Sequence, residues 1–373
     1  METGESTEGT MTTQPVAMPD SAAPVKERIR IIRRKTNGQT DWRFWSQVFW
    51  TGICLWIGWE FWRFVKFYET GAVGTPPGRP AGAEAFLPIS GLLGIKDWIV
   101  NGVLNHIHPA ATIILGLALV SSVVLKKSFC GWVCPIGFVS EAVGTTGQKI
   151  HRWKGRLPKA LDWPLRSVKY LLLAFFVWAI ILQMSPSALA AFIQSPYNKV
   201  ADIKMLKFFT EMDSESLWIL GGLFVLGFAV SGFWCRFLCP YGALAGLVSF
   251  LSPFKITRVA SACIDCNKCN VACPAHIPVM QLARVRSDEC NSCMACVDVC
   301  PSSEALNLSL PKNRARVSRL GALVAVTGIF VAGIGIAQLT GHWQTSITSE
   351  EYSQRIPHIN DAIYFHNRGA VQE

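Results

Sequence analysis

The segment ATIILGLALVSSVVLKKSFCGWVCPIG, residues 111–137, runs fifteen residues without a charge. It then closes on two lysines and two thiols. Its apolar part belongs to one of five runs close to the roughly 20 residues that a bilayer core demands. They are Phe44–Phe64, Val103–Leu125, Val168–Ala190, Leu217–Trp234 and Leu320–Leu339. Any one of them could be a buried core helix. Five in a chain of 373 residues, half of them hydrophobic and only 16% charged, predict an α-helical polytopic membrane protein with about five transmembrane helices.

The net charge of +10 follows the same geometry. With the N-terminus in the cytoplasm, 26 of the 35 Lys and Arg fall on that side, which is the positive-inside bias. The basic balance therefore needs no nucleic acid. The start of the chain, METGESTEGTMTTQPVAMPDSAAP, is too polar to build a core and reads as disordered. It lacks the early apolar region of a secretory signal.

A repeat marks the ends of two spans. FCGWVCPIG (129–137) and WCRFLCPYG (234–242) share C-x-x-x-C-P-x-G, and both follow a run that crosses from outside to inside. The two thiol pairs, Cys130/Cys134 and Cys235/Cys239, therefore lie at one depth on the cytoplasmic edge. On a helix the i, i+4 spacing puts both thiols on one face. The prolines bias Cys134 and Cys239 away from helical geometry, so each pair closes its helix. Four thiolates at one depth can converge on a metal or iron–sulfur centre. Packing as small hydrophobes is the alternative, and it suits the single Cys54 better than two matched pairs.

The most specific signal is CIDCNKCNVACP (263–274), repeated as CNSCMACVDVCP (290–301). Each is the C-x-x-C-x-x-C-x-x-x-C-P run of bacterial two-cluster ferredoxins, in which the fourth Cys ligates the other cluster. Cys263, Cys266, Cys269 and Cys300 are the expected ligands of one [4Fe-4S] cluster. Cys290, Cys293, Cys296 and Cys273 are those of the second. Structural zinc prefers Cys pairs to such runs, and disulfides do not suit a cytosolic insert.

These features divide the chain into five parts: a polar and basic tail (1–41), a membrane domain with four spans and both C-x-x-x-C-P motifs (42–254), a cytoplasmic α+β two-cluster ferredoxin module (255–312), a fifth span (313–340) and a periplasmic C-terminal tail (341–373). The tail's TSEEYSQRIPHINDAIYFHNRG reads equally as a segment that docks a partner and as an ordered surface tail.

The chain resembles the NapH/MauN-type membrane ferredoxins and the membrane half of NosR. The resemblance rests on GRPAGAEAFLPISGLL (78–93), HPAA (108–111), KKSFCGWVCPIGFVSE (126–141), WCRFLCPYGAL (234–244) and the two ferredoxin runs. It implies an electron-transfer component of the bacterial inner membrane, coupling the quinone pool to a redox partner. The large outer flavin-binding domain of NosR has no counterpart here. Quinol oxidation needs an apolar slot and a proton acceptor, for which Glu84, His106, His108 and Glu60 are candidates. Glu60 also reads as a snorkelling pair with Arg63, and His108 as a cap of its loop. The outer residues lie a bilayer away from the clusters, ~30 Å. Quinol would then need an intermediate centre, or would react beside the C-x-x-x-C-P pairs.

Two other functions stay open. One is a cupric reductase like the CcoG-type membrane ferredoxins, since thiolates suit Cu(I). The other is a metallocentre-assembly or regulatory anchor. No glycine-rich dinucleotide fingerprint supports NAD(P)H as direct donor.

Overall fold

The computed structural model describes residues 41–71, 74–151 and 157–365. The expected disordered tail and its basic block, except for position 41, lie outside the described residues.

All five apolar runs are helical, with shifted bounds. Helix α1, Trp42–Glu69, is capped by Asp41, whose carboxylate accepts from the Phe44 N–H at 3.2 Å. Helix α2, Pro88–Asn101, was not evident from periodicity and ends on Gly102 at φ 69°. Helix α3, Pro109–Leu125, opens on a proline, where a missing N–H costs nothing. Helix α4, Pro135–His151, leaves the first C-x-x-x-C-P motif in the same way. Helix α5, Lys159–Val177, continues as a π-helical turn over Trp178–Gln183. It precedes α6, Pro186–Gln194. The third run is therefore broken near Met184 rather than continuous to Ala190. Helix α7, Ala201–Thr210, meets α8, Ser214–Ala229, at a 78° bend. Helix α9, Pro240–Val248, follows the second motif. Helix α10, Arg319–Leu339, is the last apolar helix, and α11, Ser349–Arg355, lies in the C-terminal segment.

By length and hydropathy, two helices among the described residues suffice to cross a membrane alone. They are Ala160–Gln183 and Arg319–Leu339, with the bent α7–α8 pair a third if it forms one span. That is fewer than the five expected. The reasons are local. Helix α1 is long enough, but Arg43, Gln47, Glu60, Arg63, Lys66 and Glu69 dilute its apolar character. Helix α3 has 17 residues, about 26 Å of rise, because Val103–His108 forms a loop instead of its first turns. The outward faces are nonetheless strongly apolar. No residue of α8 is buried, and Trp45, Trp56, Leu182, Trp218 and Val331 are all more than half exposed. So much exposed apolar surface exceeds what a soluble monomer carries and suits lipid.

Two main cores sit at opposite ends of α1 and α3. One joins Ala118, Leu125, Trp132, Val326 and Phe330 to the cysteine-bearing module. The other joins Phe61, Phe64, Leu93, Leu189 and Ile203 to Ile347, Tyr352, Ile356 and Tyr364 of the C-terminal segment. The described part of that segment is thus packed into the body. Tyr352 meets Phe64 edge-on at 5.1 Å between centroids.

The module is a small antiparallel sheet, β1 (Lys255–Arg258), β2 (Leu306–Ser309) and β3 (Arg316–Val317), in that order. Lys255 pairs with Ser309, Arg258 with Leu306, and Leu308 with Val317. The two cysteine runs lie between β1 and β2.

Candidate functional site

Both cysteine runs fold the same way. Asp265 and Asn267 in the first, and Ser292 and Met294 in the second, take positive φ between 52° and 60° at matching positions. Four L-residues held there cost free energy. In return each loop curls and aims its amides inward. The N–H groups of Ser292 and Ala295 donate to the thiols of Cys290 and Cys293. Those of Ala275 and Ile277 donate to Cys273, and that of Asn270 to Cys269. Burial pushes all of these thiols up, while the amide donors favour the thiolate.

A cavity of about 350 Å³ is lined by Cys273, Cys290, Cys293 and Cys296, with Ile256, Val285 and Met294 around them. One thiol comes from the first run and three from the second. Cys269 in turn lies near Cys263 and Cys300. Among the described residues no three His, Cys, Asp or Glu side chains could hold a single metal ion. A cubane asks for four thiolates spread over a cluster, so the four soft donors around this cavity, ringed by amides, fit that group, and Cys263, Cys269 and Cys300 begin a second set.

The C-x-x-x-C-P thiols form a third gathering. Cys134 is pushed well up by burial, then by Cys130, Cys235 and Cys239 around it. Burial chiefly pushes Cys130 to about 11, and Cys235 to about 12. Local sequence explains the turns. Cys239 caps α9, its sulfur accepting from the Gly242 N–H at 3.3 Å. A Cβ at Gly137 would stand 2.4 Å from the Cys130 carbonyl oxygen, so the final glycine of the motif is sterically required. The Tyr241 hydroxyl is buried beside Cys130, Cys134 and Cys239 with no hydrogen-bond partner. An unmatched donor facing three soft ligands fits an acceptor such as an iron–sulfur centre.

A second cavity, about 650 Å³, opens against this group. It is lined by Lys127, Cys130, Ser140, Glu141, Cys235 and Arg236 from the membrane side, and by Pro274, Ala275, Glu289 and Asn291 from the module. Pro274, Ala275 and Asn291 also line the first cavity, so one wall separates the two. The contact is tight. Trp132, fully buried, donates from its indole N–H to the Ser292 carbonyl at 3.2 Å. Lys126 donates to the Ser287 carbonyl at 2.8 Å, Lys169 pairs with Glu289, and Tyr170 donates to Asp288. Sequence reasoning missed Lys127, Trp132, Tyr241 and Asn291, none of which has a motif of its own.

The outer candidates are placed differently. Glu84 and His108 come together at 3.6 Å, both wholly buried. Glu84 also pairs with Arg79 at 2.8 Å and accepts from the Ala111 N–H at 3.1 Å. Arg79 pairs with Asp202 at 2.6 Å, and His108 Nε2 meets the Asn198 carbonyl at 2.7 Å. The four side chains lock α3 to the segments around them. His106 is bonded to Gln194 at 2.7 Å, and Glu60 pairs with Arg63 at 3.0 Å on the surface. Cys54 is half-buried in α1.

A family model described as "4Fe-4S binding domain" matches residues 107–155 and 215–258, the two C-x-x-x-C-P segments with their preceding helices. Another, "4Fe-4S dicluster domain", matches residues 255–301. The chain is 44% identical over 323 residues to YccM of Escherichia coli, which is named as an electron transport protein, covering 85% of this chain and 90% of YccM. The chain belongs to the NapH-type family of membrane 4Fe-4S ferredoxins. Within that family it is 27% identical over 209 residues to the ferredoxin-type protein NapH of Haemophilus influenzae, covering 52% of this chain and 68% of NapH. The regulatory protein NosR of Pseudomonas aeruginosa is 24% identical over 45% of this chain, which spans only 23% of NosR. No solved structure matches. The chain is thus an electron-transport protein with 4Fe-4S domains that associates with the membrane.

Proposed function

We propose that this protein is a quinol-linked electron-transfer subunit of the bacterial inner membrane. In this reading Cys263, Cys266, Cys269 and Cys300 hold one [4Fe-4S] cluster, and Cys273, Cys290, Cys293 and Cys296 the second. Cys130, Cys134, Cys235 and Cys239 hold a further iron–sulfur centre at the membrane edge. When bound, these groups supply one-electron transfer.

The single wall shared by the two cavities carries the reading. It supports a short step from the C-x-x-x-C-P set to the Cys273 set, and in this reading the Cys263 set, where Cys266 is exposed, comes last. A redox partner would meet the chain at that exposed end. The protein's own residues fix the first step by bonding Lys126, Lys169, Tyr170 and Trp132 to residues 287–292. Glu84 and His108 are committed to a buried ion network, which favours quinol reacting at the cavity beside Cys130 and Cys235 over the outer face. Five membrane crossings, with the N-terminus and module cytoplasmic and the C-terminal tail periplasmic, complete the proposal.

The test is direct. Anaerobically purified protein with oxidised clusters receives a soluble quinol while absorbance and EPR are recorded. Reduction, abolished when Cys130, Cys134, Cys235 and Cys239 become Ser, is the expected result. Reduction by dithionite but not by quinol would overturn the quinol link.

A further inference from the structure

Lys127 is a buried ammonium without a carboxylate of its own. It is 5% exposed and lines the cavity beside Cys130 and Cys235. Its Nζ lies 3.4 Å from where a Cβ on Gly242 would stand, and Gly242 is the residue whose N–H reaches Cys239. Two ammonium groups lie near Cys130, those of Lys127 and Lys169. Lys169 is matched by Glu289. Among the described residues no carboxylate reaches ion-pair distance of Lys127, and the groups around it are the thiols of Cys130, Cys235 and Cys239 and the more distant Glu289. A lone buried charge is expensive unless something pairs it. Four thiolates on a cubane carry net negative charge that grows by one on reduction, and net charge and hydrogen bonding set the potential of such a centre. The repeat is asymmetric here, because Gly232 stands three residues before Cys235 where Lys127 stands before Cys130.

We infer that Lys127 is the built-in counter-ion of the four-thiol centre, a positioned charge that raises its reduction potential and makes it the acceptor at the membrane edge. This rests on the reading that the C-x-x-x-C-P thiols hold an iron–sulfur centre. The experiment separates the two ideas. EPR-monitored redox titration of the full-length protein is run on wild type, on the four-Cys-to-Ser variant, and on Lys127→Gln, Lys127→Met and Lys127→Arg. Iron is counted in each.

Loss of one component and its iron in the four-Cys variant identifies the centre. If nothing is lost there, the reading of the thiols fails, and the counter-ion with it. With the centre identified, the neutral variants should lower its potential by a tenfold or greater change in reduction equilibrium, about 59 mV for one electron. Lys127→Arg should stay near wild type, and the other two components should not move. Loss of the centre in both neutral variants but not in Lys127→Arg also supports the charge. An unchanged potential in Lys127→Gln, or loss of the centre in Lys127→Arg, overturns it.

Discussion

At the residue scale, the motif C-x-x-x-C-P-x-G is a steric statement as well as a chemical one. The glycine lets the first turn of α4 pass under the Cys130 carbonyl, where a methyl group at Gly137 would sit at 2.4 Å against backbone. Gly137→Ala should therefore cost about 1–3 kcal/mol through overpacking. It should also lower the iron content assigned to the four thiols, with the ferredoxin-module signals intact by EPR. Tyr241 gives a contrasting case. Its orphaned hydroxyl costs stability unless something accepts from it, about 1–3 kcal/mol for a buried unmatched donor. If it donates to the four-thiol centre, Tyr241→Phe should lower that centre's potential at unchanged iron count. A higher melting temperature with no change in potential would show a plain unsatisfied donor instead. The eight module cysteines were legible because their spacing is local. Lys127 and Tyr241 were not, since their meaning depends on thiols brought in from about a hundred residues away.

At the element scale, close helix contacts rest on small residues. Gly144 and Gly147 of α4 face the chain around α8, where an added Cβ would lie 2.5 Å from Ser231 Cα and 1.9 Å from the Phe228 carbonyl oxygen. Gly91 and Gly94 of α2 approach α3 in the same manner, at 2.8 Å from the Ala111 carbonyl oxygen and 1.9 Å from Thr112 Oγ1. Small residues let helix backbones approach where lipid supplies no hydrophobic drive between helices. Gly147→Val should push α8 from α4 and displace Ser231 and Cys235, which both line the larger cavity. The expected outcome is a lower melting temperature in detergent and a broadened EPR signal for the four-thiol centre. A matching change at Gly116, which has open space around it, should leave both as in wild type. The apolar runs announced the helices, but not α2 or the break in the third run. That break has a tertiary partner: Lys96 of α2 donates to the Ile180 and Met184 carbonyls freed where the π-helical turn ends.

At the scale of the whole molecule, the two main cores divide the labour. The core around the module carries the thiols. The opposite core is closed by a buried ion network and by the C-terminal segment, which Lys199 ties down through Glu351, a carboxylate also held by Arg355 of the same helix. Sequence reading placed Glu84 and His108 in a loop as candidate proton acceptors, with His108 also read as a cap of that loop. Arg79 and Asp202, the latter 118 positions past Glu84, turn the same residues into a lock. Arg79 is 5% exposed and holds two carboxylates that are fully buried, so Arg79→Met would leave Asp202 without a cation and Glu84 with only His108. Breaking a buried pair in this way costs about 3–5 kcal/mol. Glu60→Gln, at a half-open surface pair with Arg63, should cost about 0–1 kcal/mol. Thermal unfolding in detergent, followed by intrinsic fluorescence and by cluster absorbance, compares the two. Arg79→Met should bring the fluorescence transition down well before the absorbance one, because the disturbed core holds none of the thiols. If the two transitions fall together, the ends are one cooperative unit, and the outer network supports the redox end as directly as the contacts around Trp132 do.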